Sequence, residues 1–142
     1  MTTVSQLLAQ KGHTVLSVDP EDTVYIALRK MADANVGSVV AMENGKLVGI
    51  VTERCYTRRV ELKGRTSYTT RVRDIMETKI LYARPDQTVQ ECLAVMIDRR
   101  IRHLPVLDHG ELVGMISIGD LGRSIVGEQK FEIDQLVRYI GG

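Results

Sequence analysis

The chain has no tryptophan and one phenylalanine, Phe131, among its 142 residues. With an aromatic share of 4%, its core must be aliphatic, and stacking platforms for nucleic-acid bases are sparse. Two cysteines, Cys55 and Cys92, stand at unrelated positions. They exclude a disulfide framework and point to a reduced, cytoplasmic protein. No apolar run approaches the ~20 residues that cross a bilayer. Met1 to Gln6 shows no basic stretch leading into an apolar one, so neither a membrane partner nor a signal peptide is expected. Charge is balanced too. A net charge of +1 supplies no global field to draw in nucleic acid or an anionic surface.

Catalytic and metal signatures are equally scarce. The chain contains no Walker loop, no Gly-x-Gly-x-x-Gly and no supported Ser-His-Asp set. His13, His103 and His109 lack any zinc-like spacing with the cysteines. No metal site and no enzyme activity are therefore expected.

What the chain does have is a duplication. Residues 85–117 repeat residues 20–52 at a constant offset of 65 (85 minus 20), without a gap. Pro20 matches Pro85, and Thr23-Val24 matches Thr88-Val89. Leu28, Met31 and Asp33 match Leu93, Met96 and Asp98, and Gly45-x-Leu47-Val48-Gly49 matches Gly110-x-Leu112-Val113-Gly114. Two copies of one unit normally pack face to face, because neither can bury its apolar surface alone. Such packing predicts two quasi-symmetric clefts between the copies, where a ligand would sit.

Each copy reads as strand–helix–strand–strand–helix. In the first, Thr14 to Val18 alternates as a strand, and Asp22 or Thr23 caps a helix over Val24 to Ala34. Strands Ser38 to Met42 and Leu47 to Thr52 are joined by a turn containing Asn44-Gly45, a hairpin signal. A helix from about Glu53 to Leu62 follows. In the second, Ile80 to Ala83 is a strand and Thr88 caps a helix through Ile97. Strands Leu104 to Leu107 and Leu112 to Ser117 follow, then a helix from about Ile118 to Val126. Val4 to Leu8 and Val72 to Met76 resemble matching lead-in helices. The expected division is 1–63 for the lead-in helix and first repeat, 64–71 for a linker, 72–126 for the second repeat, and 127–142 for a C-terminal amphipathic helix. On that last helix Phe131, Ile133, Leu136, Val137 and Ile140 form an apolar stripe, which serves either packing on the parent domain or a dimer contact.

The second repeat closes with Gly114-Met115-Ile116-Ser117-Ile118-Gly119-Asp120. Ser-x-x-Asp at a helix entry is close to a capping box, with Ser117 as N-cap. The alternative is a ligand site. Gly119 lets a ligand approach the backbone, the helix-start N–H groups suit a phosphate, and Asp120 suits a ribose diol. Arg102 and His103 enter an otherwise apolar strand, either as a solvated strand end or as cations facing an anion. In the second case Pro105 shapes an edge against a base. The basic concentration Arg54, Arg58, Arg59, Lys63, Arg65, Arg71 and Arg73 reads as a solvated face, and nucleic-acid binding is the minor alternative.

These endings, the Arg102-His103-Leu104-Pro105-Val106 segment and the duplication resemble tandem cystathionine-β-synthase (CBS) domains, a Bateman module. The resemblance covers about residues 4–126 and is to stand-alone bacterial members without a catalytic domain. It implies an α/β fold of two β-α-β-β-α repeats around a pseudo-two-fold axis, associating as a homodimer. It further implies a non-catalytic regulatory role in signal transduction, with AMP, or ADP, ATP or NAD/NADH, as ligand and an unknown downstream protein as partner. By that resemblance Asp120 holds the ribose, Ser117 lies by the phosphate, and His103 faces the phosphate with help from Arg102, while Ile118 and Gly119 between Ser117 and Asp120 are further binding candidates. Lys79, Ile80 and Tyr82 border the adenine, with Ile101 and Pro105 as walls. Thr52, Arg54 and Arg58 of the first repeat are candidates for further phosphate contact.

The first repeat departs from this pattern. Cys55 stands where Asp120 stands, Ser38 replaces His103 and Gly37 replaces Arg102. A thiol cannot replace an ionised carboxylate, so the first cleft is expected to bind a ribose poorly. A redox-sensitive Cys55 beside Arg54 and a ligand-free scaffold acting through dimerisation or partner binding are the remaining alternatives.

Overall fold

The computed structural model describes residues 1–140, with side chains through residue 138. Ile140 of the apolar stripe therefore has its side chain outside the described residues, as do Gly141 and Gly142 entirely. In chain order the first elements are α1 (Val4–Lys11), β1 (Ser17–Val18), α2 (Val24–Ala34), β2 (Ser38–Glu43), β3 (Lys46–Thr52) and α3 (Glu53–Arg59). After a 3-10 turn at Glu61–Lys63 come α4 (Val72–Ile75), α5 (Val89–Arg99), β4 (His103–Asp108), β5 (Glu111–Ser117) and α6 (Ile118–Ile140).

The duplication is visible in local chemistry. Thr23 and Thr88 cap α2 and α5 by accepting from the N–H groups of Ile26 and Glu91. Both helices end on a left-handed residue, Asn35 and Arg100, with φ of 54° and 55°. Each hairpin turns on two positive-φ residues, Asn44-Gly45 and His109-Gly110, the backbone that matches the twist of flanking strands. Even the register shifts repeat, between Ala41 and Met42 and between Val106 and Leu107.

The chain divides into two compact units, Thr14–Leu81, and Met1–His13 together with the chain from Tyr82 onward. The lead-in helices thus cross the repeat order. α1 precedes the first repeat but docks in the unit of the second. Its Val4 and Ser5 N–H groups donate to Gln87 and Pro85 carbonyls at 2.8 and 2.9 Å, and Val89 N–H donates to Thr2 at 2.9 Å. In the other unit Val72 and Arg73 donate to Asp22 and Pro20 at 2.8 and 2.9 Å, and Val24 donates to Thr70 at 2.8 Å. The two sets are the same three bonds, made once in each unit. They bury Val4, Leu7 and Leu8 in one core, with Val89, Met96, Leu104, Ile116 and Leu121, and Val72 and Ile75 in the other, with Val24, Met31, Val39 and Val51.

Gly49 and Gly114 explain how closely these lead-in helices approach. A Cβ on Gly114 would stand 2.7 Å from Leu8 Cδ2, and one on Gly49 would stand 2.4 Å from Met76 Sδ. The second glycine of each Gly-x-Leu-Val-Gly is therefore a packing requirement of the strand face.

Three element boundaries differ from expectation. The Thr14 strand is ordered as strand only at Ser17–Val18, which pairs parallel with β2 through Val40 and Ala41. In the second repeat this strand shrinks further, to one parallel bridge between Ala83 and Val106. The reason is Pro105. The corresponding Val40 N–H donates to Leu16 at 3.0 Å, whereas a proline has no N–H to extend the ladder. The sheets consequently have three strands, β1-β2-β3, and two, β4-β5. Finally, Ile118–Ile140 forms one 23-residue helix, where two had been expected, because no proline or left-handed residue interrupts it near Gly127.

Candidate functional site

The β4–β5 hairpin brings the two ends of the predicted site together. His103 pairs opposite Ser117, and Ile118 N–H donates to the Arg102 carbonyl at 2.9 Å. Arg102, His103, Ser117, Ile118 and Gly119 thus share one end of the hairpin, where α6 begins. Arg102 and Gly119 are exposed, while His103 and Ser117 are half-buried.

Ser117 and Asp120 form a reciprocal cap. Asp120 N–H donates to Ser117 Oγ at 3.1 Å, and Ser117 N–H donates to Asp120 Oδ2 at 2.8 Å. The carboxylate carries more than a cap, however. Lys11 Nζ of α1 lies 2.6 Å from Oδ2 and also donates to the Met115 carbonyl, while Arg123 Nη2 lies 2.8 Å from Oδ1. Asp120 is only 9% exposed. Burial works to raise its pKa, but the bonds from Lys11 and Ser117 outweigh that, so the group sits below the ordinary aspartate value and stays ionised. Two cations on one carboxylate leave the cluster with an excess positive charge. Beside it lies an open depression of about 320 Å³ lined by Leu7, Gln10, Lys11, Asp120, Arg123 and Ser124.

The remaining candidate residues of this unit lie outside the Asp120 cluster. Ile101 packs against the core. Pro105 is buried opposite Met115, and its carbonyl accepts from Ala83 N–H at 2.9 Å. Tyr82 is 53% exposed and Ile118 37% exposed. Lys79, Ile80, Thr52, Arg54 and Arg58 belong to the other unit. There Lys79 N–H donates to Glu77 Oε1 at 3.3 Å, Ile80 is half-buried, and Arg54 and Arg58 are exposed on α3.

Thr52 repeats the cap of Ser117. Its Oγ1 accepts from Cys55 N–H at 3.1 Å, the distance found at Ser117. The return bond is missing, since Cys55 offers a thiol, whose Sγ lies 3.3 Å from Thr52 Oγ1. The first half of the cap is thus the same at both helix entries, and the returning acid is present only in the second repeat.

Three members of the basic concentration, Arg59, Arg71 and Arg73, are engaged within their own unit. Arg59 donates to the Ile75 carbonyl at 2.8 Å and pairs with Glu77 at 3.0 Å. Arg73 bridges Glu21 and Glu43 at 2.7 and 2.6 Å, and Arg71 lies 3.8 Å from Glu21. Among the described residues no cluster of three or more His, Cys, Asp or Glu could hold a metal ion, and no helix is long and apolar enough to cross a membrane.

Sequence reasoning missed Lys11, Gln10 and Arg123. Arg123 was within reach of it, because i,i+3 pairs meet on a helix. Lys11 was not, because its approach depends on α1 docking in the second-repeat unit.

Comparison with known proteins fits this arrangement. The family model for the CBS domain matches residues 8–60 and 72–127. The chain is 39% identical to the mitochondrial CBS domain-containing protein CBSX3 of Arabidopsis thaliana, over 99% of this chain and 73% of that protein. It is 33% identical to the CBS domain-containing protein YhcV of Bacillus subtilis, over 75% and 76%. A solved CBS-domain protein from Burkholderia ambifaria superposes with a TM-score of 0.87 at 45% identity, covering 90% of this chain and 96% of the other. The CBS pair of protein MJ0100, solved with 5′-methylthioadenosine and S-adenosylmethionine, superposes at 0.77 with 22% identity, covering 90% and 98%.

Proposed function

The chain belongs to the CBS domain family, and we propose that it is a non-catalytic sensor that binds an adenine nucleotide against Asp120. AMP is the first candidate, with ADP, ATP and NAD or NADH as rivals. The observation that carries this reading is the ionised carboxylate held at the start of α6 beside Ser117 and Gly119. It is an acceptor suited to ribose hydroxyls, next to the exposed backbone of Gly119, which a phosphate can approach closely. Both compounds bound by MJ0100 carry an adenosyl group, which supports the ligand class through the shared fold. In the first repeat Cys55 supplies no charged acceptor, so one site per chain is expected.

The test is a thermal-shift and calorimetric titration with AMP, ADP, ATP, NAD and NADH. A ligand at a hundred times its Kd adds about 2.7 kcal/mol of stability. Asp120→Ala would strip Lys11 and Arg123 of their partner, so Asp120→Asn, which keeps the shape, is the companion variant. Binding by the wild type and its loss in Asp120→Asn are expected. Unchanged binding in the variant would remove Asp120 from the site, and no binding by the folded, nucleotide-free wild type would overturn the sensor reading.

A second reading concerns assembly. Val126 near the middle of α6, and Phe131, Ile133, Leu136 and Val137 on its distal half, are all more than half exposed. Such a run favours a homodimer formed through this helix. Light scattering on Ile133→Asp tests it: a mass of two chains for the wild type and one for the variant is expected, and a monomeric wild type rejects it.

A further inference from the structure

Asp120 accepts three hydrogen bonds, and their distribution decides how a ribose can enter. Oδ2 holds both Lys11 Nζ and Ser117 N–H, at 2.6 and 2.8 Å, while Oδ1 holds Arg123 Nη2 at 2.8 Å. A carboxylate has about four acceptor positions, so a single one remains, on Oδ1. A ribose diol offers two hydroxyls. The first can take the open position; the second requires one cation to leave.

The two cations are not equally held. Lys11 reaches both Oδ2 and the Met115 carbonyl, and its side chain is 33% exposed. Arg123 has Asp120 as its one polar partner among the described residues, and its side chain is 76% exposed. Arg123 is therefore the group that yields. It also lies in the way, because Nη1 sits 3.3 Å from where a Cβ on Gly119 would be, with Nη2 at 3.7 Å. The guanidinium covers the glycine backbone that a ligand must approach.

We infer that Arg123 determines ligand selectivity at this site by exchanging partners, giving up Asp120 Oδ1 to the ribose and taking the ligand's phosphate in return. This rests on the adenine-nucleotide reading and adds to it a reason for choosing among adenosine compounds. A 5′-phosphate restores the ion pair that ribose binding breaks, in a bidentate geometry that guanidinium favours. Adenosine restores nothing. S-adenosylmethionine brings a sulfonium cation beside a displaced cation, which is worse. The site therefore prefers phosphorylated adenosines, and Lys11 remains on Oδ2 throughout as the fixed counter-charge.

Calorimetric titration of AMP, adenosine and S-adenosylmethionine into wild type, Arg123→Gln and Asp120→Asn tests the exchange. The wild type should bind AMP more tightly than adenosine by about tenfold or more. Arg123→Gln should weaken AMP by about the same factor while adenosine binds as well or better, because Oδ1 is then free. Its melting temperature should stay close to that of the wild type, since Arg123 is largely exposed. An unchanged AMP-to-adenosine ratio in Arg123→Gln overturns the exchange while leaving the nucleotide reading intact. Equal weakening of both ligands overturns it as well, because Arg123 would then be acting only on the structure. If neither AMP nor adenosine binds the wild type, the nucleotide reading and the exchange fall together.

Discussion

Leu8 fills the space that a side chain on Gly114 would occupy, with Cδ2 and Cδ1 at 2.7 and 2.8 Å from the position of the absent Cβ. Leu8 is 1% exposed and cannot swing into solvent. Gly114→Ala should therefore force α1 outward and cost about 1–3 kcal/mol, the usual range for overpacking. Gly49→Ala should cost less, because the atoms it meets belong to Met76, a flexible and half-buried side chain. Urea unfolding of both variants checks the order. The penalty of Gly114→Ala should also shrink in a Leu8→Ala background, since the two residues are in direct contact. Additive effects would show that the glycine serves something else.

The Lys11–Asp120 pair predicts a pH signature. Asp120 has a folded pKa below its ordinary value, chiefly because the bonds from Lys11 and Ser117 overcome burial. A depressed acid contributes stability that is complete above its unfolded pKa of about 4 and disappears as pH falls through the lower folded value. Lys11→Met removes two hydrogen bonds, to Asp120 Oδ2 and to the Met115 carbonyl, and the charged pair with Asp120 alone should account for about 1.5–3 kcal/mol at neutral pH. The gap between wild type and variant should narrow on acidification below about pH 4, leaving only the part that the Met115 carbonyl contributes. Glu77, also lowered, with the Arg59 bond overcoming its burial, contributes equally to both proteins and cancels in the difference. A gap independent of pH would mean that Lys11 acts through packing and its bond to the Met115 carbonyl, and not through Asp120.

The two thiols should behave oppositely. Cys92 is 2% exposed, and burial, with a smaller push from Glu91, raises its pKa to about 11. Its neutral form is the stable one in the fold, so the contribution is fully present below the unfolded value and lost as pH rises toward 11. Cys55 is half-buried at the start of α3. Iodoacetamide at pH 8 should therefore label the folded protein once, at Cys55, and twice after denaturation. Native labelling of Cys92 would show that α5 opens readily.

What could be read from the residues, and what could not, divides on a physical line. Helices α2 and α5, both hairpins and the helix entry at Ser117 were legible because they rest on local signals: Thr caps, apolar periodicity, Asn-Gly and Gly turns. The shortening of the Ile80 to Ala83 strand to one bridge was also readable in principle from Pro105, whose missing N–H is a property of the sequence. The destination of α1 was not, since Val4, Leu7 and Leu8 form the same amphipathic face whichever core they enter. Lys11 went unnoticed for that reason, and with it the fact that Asp120 is already engaged. The C-terminal stripe kept its two readings because a helix face shows what is apolar, not what covers it; the structure leaves Phe131, Ile133, Leu136 and Val137 exposed.

The crossed docking of the lead-in helices makes a prediction that simple repeat order would reverse. Deleting residues 1–11 removes Val4, Leu7 and Leu8 from the core that holds Val89, Met96, Leu104 and Ile116. Each buried aliphatic chain lost from a core costs about 2–5 kcal/mol when its space stays empty. The deletion also removes the bonds from Val4 and Ser5 to Gln87 and Pro85, and the bond from Val89 to Thr2. The damage should therefore appear in the second repeat, although the deleted segment adjoins the first. Hydrogen exchange should show lost protection in α5, β4 and β5, with β2 and β3 retaining theirs. Conversely, Ile75→Ala, in the lead-in helix of the second repeat, should loosen β2, β3 and α2, because Ile75 is packed with Val24, Met31 and Val39. If each change instead loosened the repeat that follows it in the chain, the lead-in helices would be packing in sequence order and the shared-core argument for Lys11 and Asp120 would fail with it.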